Sequence, residues 1–155
     1  MTKPLVSIIT PCYNGEAFLK RYFESILNQT YPNLELIFIN DGSTDRTEEI
    51  ALSYRERLEK RGITYIYEKQ ENAGQAAALN RGLKLFTGEY LTWPDSDDEM
   101  VSDAVEKKVD YLEQHPDYGF CICKTKVVNE NNPEMKCGSV SYTHLRAHET
   151  CADLV

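Results

Sequence analysis

Apolar positions in this chain switch repeatedly between a period of two and a period near 3.6. Leu5-Val6-Ser7-Ile8-Ile9 is a β-branched run that stops at Thr10-Pro11, which predicts a strand. From Glu16 to Asn28 the residues Phe18, Leu19, Tyr22, Phe23, Ile26 and Leu27 recur at helical spacing behind an Asn14-Gly15 start. Leu34 to Ile39 predicts a second strand, apolar enough at its end to be covered on both faces. A cap on Ser43 or Thr44 opens a second helix, whose core stripe is Ile50, Ala51, Tyr54 and Leu58 and whose stop is Gly62. Ile63 to Tyr67 is a third strand. Ala76, Leu79, Leu83 and Phe86 mark a third helix closed by Gly88, before a short fourth strand from Tyr90 to Trp93. Val101, Val105, Val109 and Leu112 mark a fourth helix ending before Pro116, and Phe120 to Val128 reads as a fifth strand.

This β-α-β-α-β-α-β order implies an α/β fold, mainly a parallel sheet with helices on both faces. Ligands of such sheets bind beyond the carboxyl ends of the strands. Three polar clusters fall there: Thr10 to Asn14, Asn40 to Ser43, and Asp95 to Asp98. No repeat is visible, and no domain boundary precedes about residue 129. One domain is expected over residues 1–138. From Ser139 the alternating pattern is lost, and residues 139–155 read as a non-native tail that resembles a translated sequencing adapter and carries no function.

Composition narrows the function. The length of 155 residues suits a single domain with a two-sided core. A net charge of −8 argues against nucleic acid as the main partner, because no basic stripe is present. The same charge repels a free diphosphate, so binding one needs a divalent ion or local basic groups. Cys12, Cys121, Cys123, Cys137 and Cys151 match no zinc spacing and read as free thiols of a reducing cytoplasm. No apolar run approaches the ~20 residues that span a bilayer, which leaves room only for peripheral membrane contact.

The chemistry concentrates in Asp95-Ser96-Asp97-Asp98-Glu99, directly after the fourth strand. Carboxylates crowded where a strand meets solvent repel one another, so the cluster is suited to hold a cation. Nine Asp in 155 residues give roughly 0.5 Asp-x-Asp pairs by chance, so position carries the argument. Local structure offers other uses for the same residues. Asp41 before Gly42-Ser43 can make a turn and cap a helix; Asp95 to Asp97 can cap the fourth helix; Tyr13 can pack; Asn72 and Asn80 can serve a turn or a helix surface. Glu16 and Glu99 read as solvated, and Trp93 as core or rim.

Val6-Ser7-Ile8-Ile9-Thr10-Pro11-Cys12-Tyr13-Asn14-Gly15, Ser25-Ile26-Leu27-Asn28-Gln29-Thr30-Tyr31-Pro32 and Ile39-Asn40-Asp41-Gly42-Ser43-Thr44-Asp45 resemble the family-2 glycosyltransferases. Asn72-Ala73-Gly74-Gln75-Ala76-Ala77-Ala78-Leu79-Asn80-Arg81-Gly82 and Gly88-Glu89-Tyr90 extend the resemblance to the acidic cluster, in order and in register from residue 4 to about 130. The resemblance implies a Rossmann-like GT-A fold, a nucleotide-sugar donor (UDP-sugar by family frequency), a Mn²⁺ or Mg²⁺ ion, and inverting transfer to an acceptor hydroxyl. The acceptor would be a saccharide or lipid-linked sugar of cell-surface polysaccharide or glycolipid synthesis. It implies that Thr10, Pro11, Tyr13 and Asn14 wall the base and ribose and that Asp41 accepts from a base N–H. Asn72, Gly74 and Asn80 would lie near the nucleotide and sugar. Asp95 would contact ribose or sugar, and Asp97 would bind the metal beside Asp95 and Asp98.

An inverting transferase needs a base for the acceptor proton. In the family that acid lies well beyond the metal motif, whereas Glu130 and Glu134 follow the fifth strand too soon. The expectation is an amino-terminal fragment that binds nucleotide weakly with Mn²⁺ without turnover. Its uncovered sheet edge would invite self-association. Two other classes compete: a metal-dependent phosphatase, whose Asp-x-Asp usually follows the first strand, and a non-catalytic nucleotide-binding module.

Overall fold

The structure, a computed structural model, describes residues 3–123, 125–129 and 132–140. The chain divides into two compact units, residues 1–106 and 107–155. In the first, β1 (Val6–Cys12), β2 (Leu34–Asp41), β3 (Thr64–Gln70) and β4 (Tyr90–Thr92) form one sheet in the order β3-β2-β1-β4. Every pairing in it is parallel, with Ile9 opposite Ile37 and Thr10 opposite Phe38 in the β1–β2 ladder. Between these strands lie α1 (Leu19–Leu27), α2 (Thr47–Ser53), α3 (Arg55–Lys60) and α4 (Gln75–Gly82).

Side chains alternate across a strand, so each face can be read from its partners. Ile9, Ile37 and Ile39 pack with Ala78 of α4 on one face. On the other, Phe38 meets Phe23 of α1, Tyr22 of α1 hydrogen-bonds Thr10, and the Tyr65 hydroxyl donates to the Ala51 carbonyl of α2. Both strands at the centre, β1 and β2, are buried at every position. The expected α/β fold with helices on both faces is present.

The helices differ from expectation in instructive ways. The second one is two, broken at Tyr54, whose ring stacks on Phe23 at 4.7 Å between centroids while its hydroxyl donates to Glu24. α1 starts at Leu19 rather than Glu16, because Gly15 to Phe18 form a turn. α4 ends at Gly82, where a Cβ would lie 2.3 Å from Ile9, so Leu83 and Phe86 stay exposed and Leu85 packs against the core instead. α5 (Ala104–Gln114) begins after Val101, which is 70% exposed; Val105 and Val109 are buried as expected.

In the second unit β5 (Thr125–Asn129) pairs antiparallel with β6 (Asn132–Val140), as a separate two-stranded sheet. The fifth strand is thus shorter than Phe120 to Val128 and does not extend the parallel sheet. Ser139 and Val140 pair with Lys126 and Thr125; residues 141–155 of the expected tail lie outside the described residues. Cys12, Cys121 and Cys123 are free thiols, and Cys121 and Cys123 lie outside any strand. No helix among the described residues is long and apolar enough to cross a membrane.

Candidate active site

The loops after β1, β2 and β4 open onto one cleft of about 340 Å³. Six of the expected residues line it: Pro11, Tyr13, Asn14, Asp41, Asp95 and Asp97. Cys12, Gly15, Phe18, Gln75 and Ser96 complete the lining. Three carboxylates therefore face one space with no Lys or Arg in its described wall.

The first two loops are laced together. Asn14 is the one described non-glycine residue with positive φ (51°), and its backbone N–H donates to Ser43 Oγ at 3.0 Å while its Oδ1 accepts the Thr44 N–H at 2.9 Å. Gly15 N–H donates to Thr47 Oγ1 at 2.8 Å, Glu16 N–H to Asp45 Oδ2 at 3.0 Å, and Arg46 N–H to Glu16 Oε2 at 3.0 Å. Ser43 and Thr44 are thereby spent on the loop and cap nothing. Arg46, the N-cap of α2, makes no side-chain cap bond, and Asp45 before it accepts the Thr47 N–H at 2.9 Å. Burial pushes the Asp45 pKa up, but hydrogen bonds from Thr47 and the Glu16 N–H outweigh it and leave it below the usual carboxylate range.

Asp41, at the end of β2, is 3% exposed. Its Oδ1 accepts from Gln70 Nε2 at 2.7 Å and Ala73 N–H at 2.9 Å, and its Oδ2 from Gly74 N–H at 2.8 Å. Burial raises its pKa, yet the donors of Ala73, Gln70 and Gly74 prevail and hold it below the ordinary value. A carboxylate offers about four lone-pair sites, so one remains for a ligand. Gly42 (φ 73°) follows, and a Cβ there would lie 2.6 Å from the Asn72 backbone nitrogen. Its glycine thus admits the 71–74 loop, and Gly74 (φ 88°) has open space around it.

β4 pairs with β1 only as far as Ile8–Thr92, and the chain then leaves the sheet. Asp98 N–H closes a turn on the Asp95 carbonyl at 3.1 Å. That turn puts Asp95 and Asp97 on the cleft and leaves Asp98 out of its lining. Burial, then Asp97 and Asp95, raise the Asp98 pKa. No three His, Cys, Asp or Glu among the described residues gather closely enough to hold an ion unaided. The expected set of Asp95, Asp97 and Asp98 therefore reduces to two cleft carboxylates. That oxygen set still fits Mg²⁺ or Mn²⁺, which take one or two carboxylates and fill their shell with water and phosphate.

The remaining expected residues sit elsewhere. The Thr10 hydroxyl is buried against the Tyr22 hydroxyl, and Asn80 lies exposed on α4; neither lines the cleft. Asn72 and Gly74 belong to the loop anchored on Asp41, also outside the lining. Tyr13 is 54% exposed on the cleft, and Trp93 is exposed. Glu99 pairs with Arg21 at 3.3 Å. Sequence reasoning missed Gln75 and Ser96. The available signal was that Gln75 directly follows Asn72-Ala73-Gly74, a loop ending in glycine just ahead of the third helical pattern.

The model of the family described as "Glycosyl transferase family 2" matches residues 7–151. This chain belongs to glycosyl transferase family 2. The putative teichuronic acid biosynthesis glycosyltransferase TuaG of Bacillus subtilis (strain 168) is 37% identical over 110 residues, covering 71% of this chain and 42% of TuaG. Among solved family-like structures, S. aureus TarS 1-349 in complex with UDP superposes with a TM-score of 0.66 at 26% identity, over 72% of this chain and 33% of that one. The mannosyltransferase PcManGT from Pyrobaculum calidifontis, in complex with GDP-Man and Mn²⁺, gives 0.69 at 28% identity, over 83% and 37%. The sheet described above is thus a GT-A glycosyltransferase sheet. The chain spans 32% to 50% of the length of some curated relatives it matches and 14% to 17% of others.

Proposed function

We propose that this chain is the donor-binding part of an inverting, metal-dependent glycosyltransferase that uses a nucleotide-diphosphate sugar, most simply a UDP-sugar. One observation carries the reading: the cleft gathers Asp41, Asp95 and Asp97 from two separate strand ends with no basic side chain in its described wall. Such a wall repels a diphosphate unless a cation accompanies it. UDP in TarS and GDP-Man with Mn²⁺ in PcManGT support the ligand class.

In this reading Pro11, Tyr13 and Asn14 flank the nucleoside, and the remaining lone pair of Asp41 accepts from a base N–H. Asp97, with Asp95, would hold a divalent ion. When bound, that ion neutralises the charge developing on the departing nucleoside diphosphate. Asn72 and Gly74 stay close to the donor through the loop that Asp41 holds. In the transfer, the acceptor hydroxyl bonds to the anomeric carbon on the face opposite the leaving diphosphate. The bond to that diphosphate breaks, and the hydroxyl proton passes to a base. Since the three cleft carboxylates serve the donor, the base is assigned to a residue outside the described cleft. The likeness to a putative teichuronic acid biosynthesis glycosyltransferase supports a saccharide acceptor in cell-surface polymer synthesis.

Calorimetry with UDP and with GDP, with and without Mn²⁺, tests the reading. Binding should require Mn²⁺ or tighten at least about tenfold with it, and Asp97→Asn should abolish that gain. Binding that ignores both Mn²⁺ and Asp97 rejects it.

A further inference from the structure

Asp95 lies on an exposed turn beyond the sheet, yet a donor complex needs its carboxylate in one orientation. The side chain that touches it comes from another element. Gln75 Nε2 donates to Asp95 Oδ1 at 2.7 Å, and both side chains line the cleft. Gln75 is the first residue of α4, directly behind Gly74. The backbone just before it is pinned, because Asp41 takes the N–H groups of Ala73 and Gly74. A continuous path therefore runs from Asp41 through the 73–75 backbone and the Gln75 amide to Asp95.

We infer that Gln75 is a positioning residue, whose side-chain amide holds Asp95 in its ligand-binding orientation and ties the two ends of the cleft together. This rests on the donor-binding reading above. An amide suits the task because it is neutral. A lysine here would form an ion pair with Asp95 and oppose the binding of a cation, whereas the glutamine donates one hydrogen bond and leaves the carboxylate charge intact. The bond uses one acceptor site on Oδ1, so lone pairs on both oxygens remain for a ligand. Without it, the donor complex has to immobilise Asp95 itself, a loss of about 3- to 10-fold in affinity.

The test is a double-mutant cycle read by calorimetry, using UDP and GDP as probes over a series of Mn²⁺ concentrations. Gln75→Met keeps the length of the side chain and removes the donor. It should weaken Mn²⁺-assisted nucleotide binding about 3- to 10-fold and raise the Mn²⁺ concentration giving half-saturation, with an unchanged melting temperature. In an Asp95→Ala background the same change should have no further effect, because the group it positions is gone. Losses that add in full across the two sites, or a Gln75→Met variant that binds as the wild type does, overturn the inference. If wild-type binding responds to Mn²⁺ and Asp97→Asn abolishes that response while Gln75→Met is silent, only the positioning role falls. If the wild type binds neither nucleotide, the donor reading falls and this role with it.

Discussion

β2 carries a buried acid near each end, and the two are used differently. Glu35, 2% exposed, accepts from the Ser7 hydroxyl of β1, from the Thr87 N–H at 2.6 Å and from the Thr87 hydroxyl at 3.0 Å. Ser7 Oγ in turn accepts the Gly88 N–H at 2.8 Å. Asp41, at the carboxyl end, also has three donors, but two are backbone groups of the 73–74 loop, and its carboxylate borders the cleft. A buried, hydrogen-bonded acid is therefore no sign of a site by itself. At the amino end, hydroxyl side chains close the space around the carboxylate and clamp the crossover into β4. At the carboxyl end, loops diverge from the strand ends and leave room for a ligand, the general property of parallel sheets.

The sharpest way to break this contrast is at Glu35. Glu35→Leu removes the acceptor for two hydroxyls and one N–H in a buried place, and should cost about 3 kcal/mol or more. A lowered urea midpoint would report it, with the nucleotide affinity of the folded fraction unchanged. If nucleotide binding were lost in proportion beyond unfolding, the amino end would belong to the site and the contrast would fail.

Asp41→Asn should cost less stability, about 2 kcal/mol, because an amide oxygen still accepts from the loop, but it should weaken UDP binding at least about tenfold. Acid adds an independent check. The folded-state pKa of Asp41 is depressed, so its stabilisation is complete above the unfolded Asp value and is lost as pH falls through the lower folded value. Wild-type and Asp41→Asn stabilities should therefore converge on acidification below about pH 4. A gap that stays constant across that range would show that Asp41 is not held by its three donors.

Much of this was legible because strands announce themselves locally. Val6 to Ile9 and Leu36 to Ile39 read as strands from their own residues, the second as covered on both faces, and their ends located polar clusters that border the cleft. What escaped depends on distant contacts. Glu35 looks like an ordinary polar break in a strand, since its partners Ser7 and Thr87 are 28 and 52 residues away. Leu83 and Phe86 fit the helical period better than Leu85, but Gly82 ends the helix against Ile9, a contact no local pattern encodes. The acidic cluster pointed to Asp95, Asp97 and Asp98 alike; the Asp95–Asp98 turn decides which two face the cleft. β6 was missed because its sequence, with Pro133 and Gly138, lacks strand alternation and depends on its pairing with β5.

The smallest expected effect on stability separates the two ends most cleanly. Ser43 Oγ accepts the Asn14 N–H at 3.0 Å in an exposed setting, so water replaces the acceptor once it is removed. Ser43→Ala should then shift the urea midpoint by no more than about 0.5 kcal/mol in stability. Asn14, however, holds a left-handed backbone on the cleft wall, and its other bonds to this loop run through its side chain. Freeing its backbone should lower UDP affinity about two- to threefold. At the carboxyl end, a hydrogen bond can thus matter for binding while hardly mattering for folding, the reverse of Glu35. A stability loss for Ser43→Ala comparable to that of Glu35→Leu would mean that both ends of the sheet are structural clamps. Asp41 would then border the cleft only because it packs there.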